Sequence, residues 1–409
     1  MKIVKKFAAA AVLCVLIGAS AFAGELVINS DASDPAPKAA FAKIIKQFEQ
    51  ANPDIKVKYN LYDHESYKTT IRNWLVTTPP DIVFWYAGNR MKTFVDRGLF
   101  TDVSDLWQEQ NMAEDYKSAM PAMTIDGKQW GVPYTYYQWG VYYRKDIFDK
   151  YGLTIPKTYD QLLHLSQVLK ENGVTPFTIG TKFLWTAAGW FDYLDLRTNG
   201  LDFHLSLMEG KEKWTSSKVR KVFENWGKMV KAGYFLKNHT SYSWQEAQAP
   251  FFSGDAAMYL IGNFFAANFT QEQRSKIDFF QFPQVDANVP MYEDAPMDTL
   301  HIPSRAKNKV DARKFLKFMT LPQNETLVND ALLQIPTNSK AQVKDDKYLN
   351  IGVKILNSAA GTAQFFDRDT NPEMAKTAMK GLQEYMVHPE RLDKILKRLD
   401  RAANRIFKK

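Results

Sequence analysis

"LVINSDASDPAPKAAFAKIIKQFEQANPDIKVKYNLYDHESYKTTIRNWLVTTPPDIVF", Leu26 to Phe84, is the stretch whose reading decides the fold class. Leu26, Val27 and Ile28 make a short apolar strand ending in the polar turn Asn29-Ser30-Asp31. Phe41, Ile44, Ile45 and Phe48 then recur at helical spacing, with lysines and Glu49 on the other face. Asn52-Pro53 stops that helix. Ile55, Val57, Tyr59 and Leu61 alternate with Lys56, Lys58 and Asn60, which predicts a half-buried strand. Pro79-Pro80 precedes Asp81-Ile82-Val83-Phe84, another short buried strand. Strand, helix, strand, helix, strand is the order of a parallel α/β sheet.

The pattern recurs downstream. Thr158 can cap a helix with Gln161 in the capping-box position, and Leu162, Leu165, Val168 and Leu169 form its apolar face. Phe177–Ile179, Ala256–Leu260 and Phe279–Phe282 read as strands, and Val219–Lys231 and 309–320 as helices. In the C-terminal helix Leu392, Ile395, Leu396, Leu399 and Ile406 share one face. No short tandem repeat and no low-complexity linker interrupts the chain, so two α/β lobes crossed by several short segments fit better than consecutive domains.

The chain has 409 residues, 45% of them apolar and 24% charged, which is ordinary for a globular protein and argues against disorder, collagen or a coiled coil. Aromatic residues reach 14%, with 10 Trp, 19 Tyr and 27 Phe, an excess that needs a use. Residues 1–23 read as a secretory signal: Lys2, Lys5 and Lys6, an apolar run from Phe7 to Ile17 too short to span a bilayer, and the cleavage pattern Ala21-Phe22-Ala23. The alternative is an uncleaved anchor. Cleavage removes three lysines, taking the formal net charge from +8 to +5, and removes Cys14, the single cysteine. A disulfide scaffold is therefore excluded, and a cysteine-free exported chain suits an oxidising periplasm.

Several chemistries lack their signatures. The six histidines form neither H-x-H nor H-E-x-x-H, so no metal site is expected. There is no G-x-S-x-G elbow, P-loop or G-x-G-x-x-G, and no cofactor is expected. A dispersed catalytic triad or a carboxylate pair stays open, because their members need not be neighbours. Basic residues are spread along helices and read as solvated faces, so nucleic acid is not an expected partner.

The order of motifs resembles the extracellular solute-binding proteins of ABC importers, family 1, in the sugar-binding group that includes maltose-binding proteins. "FEQANPDIKV" (Phe48–Val57) and "PDI" (Pro80–Ile82) are similar to that family's first helix and its second and third strands. "GKQWGVPYTYYQWGVYYRKDIFDKYGLTIPKTYDQL" (Gly127–Leu162) is the most specific block; it follows the pattern Gly-x-x-aromatic-Gly-aliphatic-Pro, a crossing strand, a Tyr-rich end and Pro-x-Thr-aromatic. "FFSGDAAMYLIGN" (Phe251–Asn263) and "LLQIPTN" (Leu332–Asn338) complete the series. The resemblance implies a two-lobe periplasmic-binding-protein fold of type II, α/β in class, with a hinge and an interlobe ligand cleft. It places residues 24–134 and 300–335 in the N-terminal lobe and 135–299 and 336–409 in the C-terminal lobe. Crossings are expected near Pro133–Tyr136, Met297–His301 and Ile335–Asn338. It further implies capture of a saccharide by lobe closure, delivery to ABC permease subunits in the membrane, no catalysis, and action as a monomer.

A sugar offers C–H faces and hydroxyl edges, so its site needs flat apolar rings and fixed polar groups. "FWYAGNR" (Phe84–Arg90) resembles the maltose-binding loop: Trp85 and Arg90 match, while Asn89 stands where that loop carries an acid. Trp85 alternatively packs against the next helix. Asp31 follows the first strand, as a family ligand-binding acid does, or else caps a helix. His64 lies after the second strand, as a ligand contact or a surface histidine. Tyr136, Tyr137 and Trp139 fall on the crossing strand, where alternation turns Tyr137 and Trp139 one way and Tyr136 the other. Trp185 is preferred over Trp190 as a cleft ring. Trp244 is a further candidate or a hydrophobic staple, and Asn263 and Phe264 stand where the family often has a stacking Trp. In "FFDRDTNPEM" (Phe365–Met374), Asp367 and Arg368 either contact ligand or form a solvated charge run. An arginine in the pocket would also serve an acidic or sulfonated sugar. The competing readings are a secreted glycoside-active enzyme, with two carboxylates across the cleft, and a binding protein for a polyamine or phosphate ester.

Overall fold

A computed structural model describes residues 25–408. The expected signal and Cys14 lie outside the described residues.

Two larger sheets organise the described residues. The first has five strands in the order Val57–Leu61, Leu26–Ser30, Ile82–Tyr86, Met297–His301, Val132–Tyr136. Its first three strands are parallel, as the strand–helix alternation of 26–84 predicts, and Met297–His301 runs antiparallel to both of its neighbours. Helix Pro35–Ala51 covers this sheet with Phe41, Ile44 and Phe48, the residues of its apolar stripe. The second sheet has the order Ile277–Phe280, Trp139–Arg144, Ala256–Gly262, Thr175–Phe177. Each sheet carries its own hydrophobic core, so the chain forms two lobes. The capping box at Thr158 and Gln161 forms, with the Gln161 amide donating to the Thr158 hydroxyl oxygen and starting helix Tyr159–Glu171. Among the described residues no helix is long and apolar enough to cross a membrane.

The crossings lie slightly outside their expected places. Val132–Tyr136 belongs to the first sheet and Trp139–Arg144 to the second, so the chain passes over in Tyr137 and Gln138 alone. Tyr136 pairs with Met297, and Asp298 pairs with Tyr86. Residues 135–136 and 297–299 thus stay with the first lobe, because the strand ladder holds them there, and the boundaries at 134 and 300 shift accordingly. A second passage runs through Ala295 and Pro296, from strand Tyr292–Asp294, which pairs with Gly361–Ala363, to strand Met297–His301. Near the expected third crossing, Ile335 bonds to Tyr136, and Asn338 is still tied to the first lobe through Glu325.

Candidate functional site: a cleft with one polar and one aromatic wall

Strand ends on the first lobe supply the polar wall. Asp31 follows strand Leu26–Ser30, and His64 opens helix His64–Thr77, which is capped by the Asp63 carboxylate accepting from the Ser66 amide at 3.0 Å. The helix after Asp31 begins only at Pro35, so Asp31 caps nothing and instead meets His64 Nδ1 at 3.0 Å. Burial opposes ionisation of Asp31, but the His64 hydrogen bond and charge outweigh it and hold the carboxyl below its usual value. The same partnership, working against burial, raises His64. Tyr86, the last residue of its strand, brings its hydroxyl to 3.4 Å from both Asp31 and His64. Asp298 sits opposite Tyr86 in the ladder, and burial raises its carboxyl.

The second lobe supplies rings. Tyr137, Trp139, Trp185, Trp244, Phe264 and Phe365 all line the cavity. Trp139 stacks on Phe365 at 4.7 Å between centroids, Trp185 meets Trp139 edge-on at 5.8 Å, and Phe264 meets Trp244 edge-on at 5.1 Å. Backbone strain helps to aim two of them. Leu184, just before helix Trp185–Thr198, has φ 73°, and Phe365 has φ 147°, both uncommon for residues with a side chain. The Phe365 turn is held from behind, where the Asp192 carboxylate accepts from the Phe366 amide at 2.7 Å and Asp369 accepts from the Gln364 amide at 2.9 Å.

Arg368 joins the walls. Its guanidinium donates to the Met297 carbonyl at 3.1 Å and to the Tyr137 hydroxyl at 2.8 Å, and lies against the Tyr86 ring. It also comes within 3.0 Å of Asp298 Oδ1, without the alignment of a hydrogen bond. Asp367 pairs with Arg90 at 3.3 Å; burial works to raise its carboxyl, but Arg90 and the surrounding positive charges keep it lowered. Asp367 and Arg368 are buried, so the solvated charge run is not what forms. The cavity between the walls measures about 160 Å³. Near it the lobes touch through the Trp185 indole N–H, which donates to Glu65 Oε1 at 3.2 Å, and through Gln245 and Asp34 at 3.5 Å.

Of the residues singled out in the sequence, Asp31, His64, Tyr137, Trp139, Trp185, Trp244, Phe264, Asp367 and Arg368 line this cavity. Five do not. Trp85 is 4% exposed and packs on Phe94, its indole N–H donating to the Arg90 carbonyl, because strand alternation turns it away from the cleft and leaves Tyr86 facing in. Arg90 stands behind Asp367 and Tyr86 rather than beside the cavity. Asn89 donates to the Asp369 carbonyl at 2.7 Å. Tyr136 is half-buried, with its backbone bonded to Ile335. Asn263 is fully buried and donates to the Leu333 carbonyl. Tyr86, Tyr134, Asp298, Phe365, Lys68 and Gln334 line the cavity without having been anticipated. For Tyr86 the parity of strand 82–86 was the available signal. For Asp298 it was membership of a crossing segment. Among the described residues no cluster of His, Cys, Asp or Glu is arranged to hold a metal ion.

Residues 32–326 match the family model for bacterial extracellular solute-binding proteins. An uncharacterized ABC transporter extracellular-binding protein of Pyrococcus horikoshii is 29% identical over 313 residues, covering 74% of this chain and 69% of the relative. A multiple sugar-binding protein of Streptococcus mutans is 26% identical over 290 residues, covering 69% and 68%. Among solved structures, the bacterial solute receptor AcbH, characterised by an exclusive preference for β-D-galactopyranose, superposes with a TM-score of 0.88 at 29% identity, over 94% of this chain and 99% of that one.

Proposed function

The chain belongs to the bacterial extracellular solute-binding protein family, and on that premise we propose that it is the periplasmic capture subunit of an ABC carbohydrate importer, closing on a single neutral sugar ring and presenting it to membrane permease subunits. The observation that carries this reading is the opposition of the two walls across about 160 Å³. Aromatic faces on one side suit the C–H face of a pyranose, and fixed carboxylates on the other suit its hydroxyls. A site built to hydrogen-bond a hydroxyl rejects an analogue lacking it, since the site's own polar groups are then left unpaired.

The charge pairing supports a neutral ligand. Asp31 is matched by His64, Asp298 by Arg368, Asp367 by Arg90, and the cavity-lining Lys68 by Glu65 at 3.5 Å. Arg368, the one cavity-lining arginine among the described residues, is already engaged with a carbonyl, a hydroxyl, a ring and a carboxylate, so it is not a free receptor for an acidic or sulfonated sugar. The same pairing favours binding without turnover. The preference of AcbH for a galactopyranose supports a monosaccharide over a long oligomer. Action as a monomer after signal cleavage at Ala23 completes the reading.

The test is a thermal-shift screen of the 24–409 chain, freed of bound solute by unfolding and refolding. Neutral, acidic and sulfonated saccharides, polyamines and phosphate esters are compared. The reading expects stabilisation by a neutral monosaccharide and its recovery unchanged. No shift with any saccharide contradicts it, and a new reducing end would assign an enzyme instead.

A further inference from the structure

The C-terminal helix Leu392–Phe407 buries Ile395, Leu396, Leu399, Ala402 and Ala403. It packs closely on helix Pro372–Val387, where a Cβ added at Gly381 would come within 3.0 Å of Ile395. Its opposite face is unusual. At about 100° per residue, Lys394, Lys397, Arg398, Arg401, Arg405 and Lys408 fall within one arc of roughly 100°, and no other residue of the helix does. The stripe runs for roughly 21 Å. All but Arg398 are exposed.

The acids nearby do not neutralise it. Asp400 points inward, accepting from the Trp214 amide and the Thr215 hydroxyl, and Asp393 pairs with Arg220 at 2.6 Å. Only Arg398, with Glu384 at 2.5 Å, and Arg405, with Glu373 at 2.7 Å, have partners on the neighbouring helix. Lys394, Lys397, Arg401 and Lys408 make no ion pair among the described residues. Lys376 and Lys380, both exposed, extend the field across the groove they share with Arg398.

We propose that this face docks on an anionic lipid headgroup layer and holds the protein reversibly at the membrane surface. A protein interface needs a desolvated apolar or aromatic centre, and the arc has none. A headgroup plane needs only charge density, which juxtamembrane Lys/Arg clusters recognise. The apolar face is already buried against the fold, so the helix cannot insert as interfacial helices do, and the attachment is electrostatic and salt-reversible. Its use is to confine the search for a membrane partner to two dimensions. The proposal is independent of which solute the cleft takes.

The experiment is co-sedimentation of the 24–409 chain with vesicles of phosphatidylglycerol and phosphatidylcholine, against phosphatidylcholine alone, at low and high salt. The wild type is expected to sediment with the anionic vesicles only, and to be released by salt. K394Q/K397Q/R401Q, which removes three positive charges, is expected to weaken binding roughly a hundredfold, and K394E/K397E/R401E, which reverses them, to weaken it further. K38E/K43E/K46E, the same charge change on the exposed side of helix Pro35–Ala51, is expected to retain it. K394Q/K397Q/R401Q, with its thermal midpoint, separates loss of binding from loss of fold. Absence of wild-type sedimentation, or equal loss in the control, overturns the proposal. Retention on protein-bearing membrane fractions but not on vesicles also overturns it, and assigns the face to an acidic protein surface.

Discussion

The guanidinium carbon of Arg368 lies 4.1 Å from the centroid of the Tyr86 ring. One residue comes from a short buried helix of the second lobe and the other from the end of a strand in the first, so this stack is where the two walls of the cleft are fastened. Arg368→Lys keeps the charge but loses the planar fork that reaches Met297 and Tyr137 together. Ligand affinity should fall by about 1–3 kcal/mol, roughly 5- to 150-fold, because buried acceptors are left unpaired. Titration calorimetry against the preferred sugar checks this, and an unchanged affinity contradicts it.

Trp185 and Trp85 should behave oppositely. Trp185→Ala removes a cavity ring and should cost about 0.5–1.5 kcal/mol of stacking in affinity. Trp85→Phe trims a core ring that never meets the cavity, and should lower the melting temperature while leaving affinity within twofold. Paired thermal melts and binding curves separate the two roles.

The contrast between these tryptophans also marks how far the sequence could be read. The strand–helix alternation of 26–84, the Thr158–Gln161 cap and the placement of Asp31 and His64 beyond strand ends are local features, legible from spacing and turn residues. Which of two neighbouring aromatics faces a cleft depends on where a strand stops, and one residue of error exchanges Trp85 for Tyr86. Asp298 and Phe365 were harder still. Asp298 reaches the site because its strand pairs with residues more than 150 positions away, and Phe365 because its backbone adopts a φ that no local rule foretells.

The pH response should centre on His64 and Asp31. His64 is raised above 6.5 and Asp31 is held below 3.8, so the ion pair is intact between those two folded values. Its contribution is lost as pH rises through the raised His64 value, and again as pH falls through the lowered Asp31 value. His64→Asn should therefore flatten the alkaline decline of thermal stability in the wild type. Melting-temperature profiles from pH 4 to 9 test it; identical profiles for the two proteins would give the pair no part in stability.

Glu65 should govern ligand release. It lies outside the cavity lining yet accepts the Trp185 indole N–H from the opposite lobe. Glu65→Ala should accelerate dissociation several-fold with little change in association. Glu65→Gln, which keeps an acceptor, should restore most of the residence time. Stopped-flow fluorescence reads both rates. If Glu65→Ala and Trp185→Phe were additive in a double-mutant cycle, the bond would not be the cause.

The most direct measurement of the central claim is competition under native mass spectrometry. Refolded, solute-free protein is offered an equimolar mixture of neutral, acidic, amino and sulfated monosaccharides with short oligosaccharides. One adduct per chain is expected, with the mass of a single neutral sugar ring, diminished in Arg368→Lys and in Trp185→Ala. An anionic or oligomeric adduct, or none at all, would contradict it.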